Sequence, residues 1–322
     1  MSQNRYNGKN KECIIAFYNL ENLFDTHDDP YTLDDDFTPK GFKKWRDGRY
    51  RSKIKKLGRA ISKIGEEEGL HPPVLVGIAE VENDKVVEKL LGTKYLRDIP
   101  YDYVHFDSPD ERGIDTGLVF NKDHFTVEQA ETLPLLIEDD EGDRDYTRDI
   151  LYVRGLLNGE GIHVFVNHWP SRRDGADETK YKRIEAANTI LRKLTSINDR
   201  AENLNVMIMG DFNDDPNSES IETLLTSGYF INPMQKLLSP QTGSANYKGK
   251  WSLFDQIILS HSFLNHEPGT HIFQQAAIFA PRFLKEWKGK YKGNPFRTFV
   301  GKKYIGGYSD HFPVYVVMRF ND

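Results

Sequence analysis

A single cysteine, Cys13, stands among 322 residues, so no internal disulfide can brace the fold. That suits a reducing compartment. No apolar run approaches the roughly 20 residues that a membrane-spanning helix needs. Residues 1–11 are polar, with no apolar stretch of the kind a signal peptide carries. A cytoplasmic location is expected for the chain as given, with a secreted form trimmed of its signal left open. Linkers rich in Pro or Ser and low-complexity tracts are also missing. One domain over 12–322, preceded by an N-terminal tail over 1–11, is the expected organisation. Excess positive charge is lacking too: 43 Lys and Arg face 49 Asp and Glu, for a net charge of −6. This argues against tight non-specific coating of a duplex, but not against an enzyme that releases nucleic acid quickly.

What the chain does have is apolar content, 38% of residues, ample for a large core. Short apolar runs at Cys13–Tyr18, Val74–Ala79 and Asn205–Met209 read as buried strands. Asp102–Phe106, Thr116–Phe120, Leu151–Leu157, Ile162–His168, Ser252–Leu259 and Val314–Phe320 read as further strands. Ile54, Leu57, Ile61 and Ile64 have helical spacing and predict a helix over Arg49–Glu68. Tyr181, Ile184, Ala187, Leu191 and Leu194 mark a second. Shorter helices are expected over Asp84–Leu91, capped by Asn83 or Asp84, and over Ser220–Thr226. Thr26–Asp47 reads as a long surface loop, acidic at its start. The two halves of the chain echo each other, which suggests two sheets packed face to face with helices outside.

Polar residues gather where these apolar runs end: Asn19 with Glu21, Glu80, His168, Asp211 with Asn213, and Asp310 with His311, while Asp255 falls inside its predicted strand. Buried carboxylates without partners cost several kcal/mol, so such a density implies a bound group. Six segments carry a resemblance: Phe17-Tyr18-Asn19-Leu20-Glu21-Asn22, Gly77-Ile78-Ala79-Glu80-Val81-Glu82, Asn167-His168-Trp169-Pro170-Ser171-Arg172, Gly210-Asp211-Phe212-Asn213, Phe254-Asp255-Gln256-Ile257 and Ser309-Asp310-His311. In this order, across residues 14–318, they resemble the endonuclease/exonuclease/phosphatase superfamily, the metal-dependent phosphoesterases related to deoxyribonuclease I. The resemblance implies an α/β fold, a four-layered αββα sandwich of two mostly antiparallel sheets with outer helices. It also implies Mg²⁺ or Mn²⁺, hard ions that take oxygen ligands.

By that resemblance Glu80 is the primary metal ligand, Asn19 and Glu21 help hold the ion or its waters, and Asp310 belongs to the same network. Asp211 activates the attacking water and Asn213 orients the phosphate. Asp211-Phe212-Asn213-Asp214-Asp215-Pro216 is also good turn chemistry, and both readings can hold together. His168 and His311 flank the scissile phosphate, His311 backed by Asp255 and His168 by Asp149. A surface salt bridge explains Asp149 as well. Arg172, or Arg173, could grip a phosphate oxygen, or be a solvated loop arginine.

Departures from the family pattern narrow the branch. His168 stands where abasic-site endonucleases carry tyrosine, and Gln256 follows Asp255 where inositol-polyphosphate 5-phosphatases carry arginine. Deoxyribonuclease-like enzymes, sphingomyelinase-like phosphodiesterases and bacterial endonuclease-like members remain, and Asn167-His168-Trp169-Pro170-Ser171-Arg172 most resembles the last. Residues 282–303 hold eight Lys or Arg and interleaved aromatics. That combination could grip single-stranded nucleic acid, lie on an anionic membrane, or form a solvated loop packed by its own rings. The expectation is a Mg²⁺- or Mn²⁺-dependent DNA or RNA endonuclease, a monomer with nucleic acid as substrate and no stable protein partner. The alternatives are a phosphatase or sphingomyelinase-like phosphodiesterase, and a non-catalytic binding protein on the same fold.

Overall fold

The computed structural model describes residues 11–70, 72–138, 142–197 and 204–321; the expected tail over 1–11 lies, but for Lys11, outside them. The chain runs β1 (Glu12–Leu23), α1 (Asp47–Ile61), β2 (Leu75–Val81), α2 (Asp84–Leu91), β3 (Tyr101–His105), β4 (Asp115–Asn121) and β5 (Phe125–Leu133). A small hairpin, β6 (Ile137–Glu138) and β7 (Arg144–Asp145), precedes β8 (Ile150–Leu157), β9 (Glu160–His168), α3 (Lys180–Ile197), β10 (Val206–Asp211) and α4 (Glu219–Leu225). Then come β11 (Phe230–Ile231), the hairpin β12 (Ala245–Tyr247) and β13 (Lys250–Ser252), β14 (Asp255–Ser260) and β15 (Thr270–Ile278). The hairpin β16 (Phe299–Val300) and β17 (Lys303–Tyr304) leads to β18 (Val314–Asn321).

Two six-stranded sheets share one plan. Their orders are β15-β18-β1-β2-β4-β3 and β11-β14-β10-β9-β8-β5. Each has one parallel pair near its middle, β1 with β2 and β9 with β10, and is otherwise antiparallel. A parallel pair needs a crossover, and α1 and α3 supply it. The apolar residues sort into three layers. Ile15, Phe17, Met207 and Met209 lie among those that fill the space between the sheets. Leu57 and Ile61 of α1 and Val86 of α2 seal the outer face of the first sheet. Ala187, Ile190 and Ile221 from α3 and α4 seal the outer face of the second. This is the four-layered sandwich that the resemblance implies.

The parallel pair also positions chemistry. In β9 and β10 the register sets His168 opposite Asp211, and the β10–β14 register sets Asp211 opposite Asp255. Asp255 opens β14 rather than sitting within it, as the sequence had suggested, because the strand begins three residues later than expected. On the other sheet β1 slips register after Asn19 and β2 after Ala79. The bulges coincide and turn Glu80 toward Asn19.

Two predicted elements end differently. Helix α1 stops at Ile61 instead of Glu68, because Gly65 and Gly69 take left-handed φ values of 86° and 72° around a 3-10 turn. A Cβ at Gly65 would meet Ile14 Cγ1 at 2.6 Å. Strands β5 and β15 escape the periodic pattern. Both are edge strands with charged or amide side chains facing solvent, which blunts the alternation.

At the rim far from the strand ends, His271 of β15 reaches across to the other sheet. Its Nδ1 lies 2.5 Å from Glu160 Oε2 at the start of β9. Elsewhere on β9, burial pushes the His163 imidazole down to about 4, aided by Arg154 and Lys193, with Tyr152 Oη 2.8 Å from its Nδ1. The unfolded chain protonates this group near 6.5. The stability that neutral His163 supports is therefore complete above about pH 6.5 and lost as pH falls toward about 4. Urea unfolding of wild type and His163→Gln across pH 3.5–7.5 should show the difference between the two curves shrinking over that window.

Candidate active site

Side chains from both sheets converge at one end of the sandwich. Asn19 is buried and its Nδ2 donates to Asp211 Oδ2 at 2.9 Å and to Glu80 Oε1 at 3.3 Å. Glu80 Oε2 also accepts from the Asn22 backbone N–H at 2.7 Å. His168 Nε2 stands 3.7 Å from Glu80 Oε1 and 3.9 Å from Asp211 Oδ2. His311 Nε2 lies 3.9 Å from the same Asp211 oxygen, while its Nδ1 donates to Asp255 Oδ2 at 2.6 Å. One carboxylate oxygen of Asp211 thus faces two imidazoles and an amide.

The backbone is held away from its preferred basins here. Glu21, Asn22, Glu80 and Asn213 have φ of 52°, 49°, 62° and 49°. Such left-handed conformations cost about 1–3 kcal/mol for most residues, less for Asn, and mark sites where surroundings over-determine the chain. The Asn213 N–H donates to Asp211 Oδ1 at 2.9 Å, so the predicted Asx turn is formed. The Asn213 amide donates to the Trp169 carbonyl at 2.9 Å, fixing the turn to the end of β9.

Charge states diverge between the two histidines. Burial first, then Arg148, Arg112 and His311, push His168 well below the usual imidazole range, so it is neutral. Burial would also lower His311, but Asp255 and Asp211 outweigh it and raise it well above that range. Asp211 is raised to about 6, chiefly by burial and then by Asp255, with His311 and the Asn213 and Asn19 hydrogen bonds opposing. Asp211, Asp255 and His311 lie close enough to share an ion, and a 2.6 Å hydrogen bond already joins His311 to Asp255.

Glu80 is the acid with an open face. Its side chain is 14% exposed, and among the described residues it forms no ion pair with Lys or Arg. A hard carboxylate suits Mg²⁺ or Mn²⁺, whereas the Asn19 side chain presents its NH₂ to Glu80 and its oxygen accepts from the Glu21 N–H at 2.9 Å. Glu21 and Asp310, expected in the same shell, are drawn into an adjoining network. Glu21 Oε2 accepts from the Thr298 N–H at 2.6 Å and lies 3.6 Å from the buried Lys53 Nζ. Arg297 reaches Asp310 at 2.8 Å and Glu21 at 3.6 Å. Burial opposes charge on Arg297, but Asp310, Glu21 and Glu80 overcome it and raise its pKa. Lys53 and Arg297 therefore neutralise acids that would otherwise repel Glu80. Arg297 belongs to the basic segment over 282–303, whereas Lys53 is not among the expected site residues; it adjoins the apolar stripe of α1, the one signal that it turns inward.

Two expectations are not met. Asp149 does not back His168. Its carboxyl is hydrogen-bonded to Thr132 and the Leu135 backbone, and His168 Nδ1 has no hydrogen-bond partner among the described residues. The neighbouring Arg148 does the bracing, with its guanidinium donating to the carbonyls of His168 and Trp169 at 3.2 and 2.9 Å and to Asp110 at 3.0 Å. Arg172 is not poised over the catalytic centre. It binds Asp214 at 2.5 Å and stacks on Phe254, 4.9 Å from the ring centroid. Asp214, read from sequence as a plain turn residue, is buried and also pairs with fully buried Arg183 at 2.8 Å.

A profile of the endonuclease/exonuclease/phosphatase family matches residues 14–320, nearly the whole chain. The chain belongs to the endonuclease/exonuclease/phosphatase family. Solved structures agree on the fold. A family protein from Bacteroides thetaiotaomicron is 17% identical with a TM-score of 0.60, covering 96% of this chain and 95% of that one. A mannosyl-6-phosphatase from the same species is 17% identical at 0.58, with 96% and 100% covered. A humanised D. rerio TDP2 is 14% identical at 0.59, with 96% and 99% covered. No curated protein matches the sequence as a relative.

The ion pairs at Asp214 separate structure from chemistry within this family member. Arg183→Ala should cost about 3 kcal/mol, because it removes the fully buried partner of Asp214 together with the guanidinium's bonds to the Thr179 hydroxyl and the Ala176 carbonyl. Arg172→Ala, a quarter exposed at its side chain, should cost about 1 kcal/mol. Urea midpoints of the two variants check the order.

Proposed function

We propose that this phosphoesterase is a metal-dependent phosphodiesterase that cleaves DNA or RNA internally. One observation carries the chemistry: Asp211 Oδ2 sits 3.9 Å from Nε2 of both His168 and His311, with Glu80 alongside. A divalent ion held at Glu80, with Asn19 contributing, would acidify a bound water and offset phosphate charge. Asp211, oriented by Asn213 and Asn19, takes the proton of the attacking water. His311, protonated and aimed by Asp255, faces the anionic oxygens of the phosphate and can give a proton to the leaving oxygen. Neutral His168 adds a second ring nitrogen on the other side. Arg297 and Asp310 bound this centre, and Arg172 stays a structural residue.

Support for nucleic acid comes from the next surface outward. A cavity of about 440 Å³ opens between the β12–β13 hairpin and residues 286–300. Arg297 and Asp310 line it, so it is continuous with the catalytic end. Lys248 and Lys290 bring charge to it, and Tyr247 and Tyr291 expose 72% and 45% of their surface. Trp287 is 62% exposed nearby in sequence. Lysines for phosphates and open rings for bases are the means of holding a single strand. The other aromatics of this segment pack inward, Phe299 against Trp45 and Phe283 against Tyr308, so the segment is part grip and part self-packed loop.

Supercoiled plasmid nicking in Mg²⁺ or Mn²⁺ tests the reading. Nicking should stop in EDTA and fall at least about 100-fold in His168→Ala and Asp211→Asn. Tyr291→Ala and Lys290→Ala should raise KM while leaving kcat within about threefold. Full hydrolysis by Asp211→Asn would overturn the assignment of the base. Cleavage of a small chromogenic phosphodiester without any nicking would shift the substrate to a lipid or sugar phosphate.

A further inference from the structure

A second group of ligating side chains lies on the first sheet, outside the catalytic set. His105 ends β3, Asp115 begins β4, and Asp107 lies in the loop between them. One ligand atom from each falls within 4.8 Å of the others. The His105 side chain is only 1% exposed, and its Nε2, in ion-pair contact with Asp115, is poorly aligned for a hydrogen bond; burial would lower this imidazole, but Asp115, Asp84 and Asp107 outweigh it and raise it. That nitrogen points at Asp115 Oδ2, 3.3 Å away. Asp115 Oδ1 is occupied by the Ser108 N–H at 2.8 Å and hydroxyl at 2.5 Å, which fixes the carboxylate and leaves Oδ2 for the histidine. On the opposite side of the ring, Nδ1 lies 3.0 Å from Asp84 Oδ1 at the start of α2.

A neutral imidazole that donates Nδ1–H to Asp84 turns the lone pair of Nε2 toward a carboxylate oxygen. Two such lone pairs repel unless something positive lies between them. Either the ring carries a second proton or a cation is bound. A histidine whose far nitrogen donates to a carboxylate is the usual support of a metal-bound imidazole. The spacing fits as well. Ligands at 2.0–2.1 Å around a tetrahedral ion lie about 3.4 Å apart, close to the His105–Asp115 separation. Asp107, exposed at the mouth, supplies a third ligand by a rotamer change and leaves one position for water.

We propose that His105, Asp115 and Asp107 form a second cation site, for a first-row divalent ion of the Zn²⁺ type, with Asp84 orienting the histidine. One imidazole and two carboxylates suit such an ion better than Mg²⁺, which prefers oxygen alone. The site would pin both ends of the loop over 106–114. That loop carries Asp110, which holds Arg148, whose guanidinium grips the His168 and Trp169 carbonyls. It also carries Arg112, one of the charges that keep His168 neutral. The ion would thus hold the support of His168 without touching substrate.

The experiment is calorimetric titration of Zn²⁺ into a Glu80→Gln/Asp211→Asn double variant, which removes the catalytic ion as a competitor. One Zn²⁺ per chain is expected. Its affinity should fall at least about 100-fold in His105→Ala and about tenfold in Asp84→Asn added to that background. Asp107→Asn, exposed and harmless to folding, should also weaken binding, so the outcome does not hang on a buried substitution. Zn²⁺ should slow amide exchange over residues 106–114 in the parent and not in the Asp107→Asn form. A parent that binds no Zn²⁺, or one whose affinity is unchanged by Asp107→Asn and His105→Ala alike, overturns the site. In that event His105 is an imidazolium bridging Asp84 and Asp115.

Discussion

Asn19 lies on the first sheet and Asp211 on the second, 192 positions apart in the chain, and a buried hydrogen bond of 2.9 Å joins them. An amide buried at that depth must find an acceptor, and a carboxylate needs its donors, so neither sheet end can relax independently. The bond sets how far apart Glu80 and Asp211 stand, and through Asp211 it sets the spacing to both histidines. Apolar packing between the sheets brings the ends near each other; this contact ties one end to the other. Charge balance around it follows, with Lys53 and Arg297 offsetting Glu21 and Asp310 so that Glu80 keeps an unneutralised face.

The duplicated sheet plan explains why acids and imidazoles meet at one edge. Each sheet has one parallel pair, and the C-terminal ends of all four parallel strands, β1, β2, β9 and β10, carry a site residue: Asn19, Glu80, His168 and Asp211. Because a parallel pair points both strand ends the same way, each sheet delivers two polar residues to the same rim. The antiparallel neighbours β14 and β18 then bring Asp255 at a strand start and His311 just before one.

Much of this was legible in the sequence because polar residues broke apolar runs at fixed points. Glu80 after Val74–Ala79 and Asp211 after Asn205–Met209 are visible as interruptions. The helix over Asp84–Leu91 was visible through Asn83, whose side chain accepts from the Val86 N–H. What stayed hidden is whatever depends on distant pairing. Asp149 and Arg148 stand side by side before a strand, and only the folded contacts show that the arginine, donating to the His168 carbonyl, and not the acid, reaches His168. Arg172 was invisible as a structural residue because its partner Asp214 lies 42 positions away. Lys53 gives no sign of burial in the sequence, since a lysine beside an apolar stripe ordinarily snorkels to water. Edge strands β5 and β15 were missed because their outward faces are polar by necessity.

Glu80 stands at φ 62°, a conformation in which glycine would sit with ease and glutamate does not. The carboxylate proposed to hold the ion is thus carried by a residue poorly suited to its own backbone. Replacing it by glycine would relax the bulge while deleting the carboxylate, so durability and activity pull in opposite directions at this position.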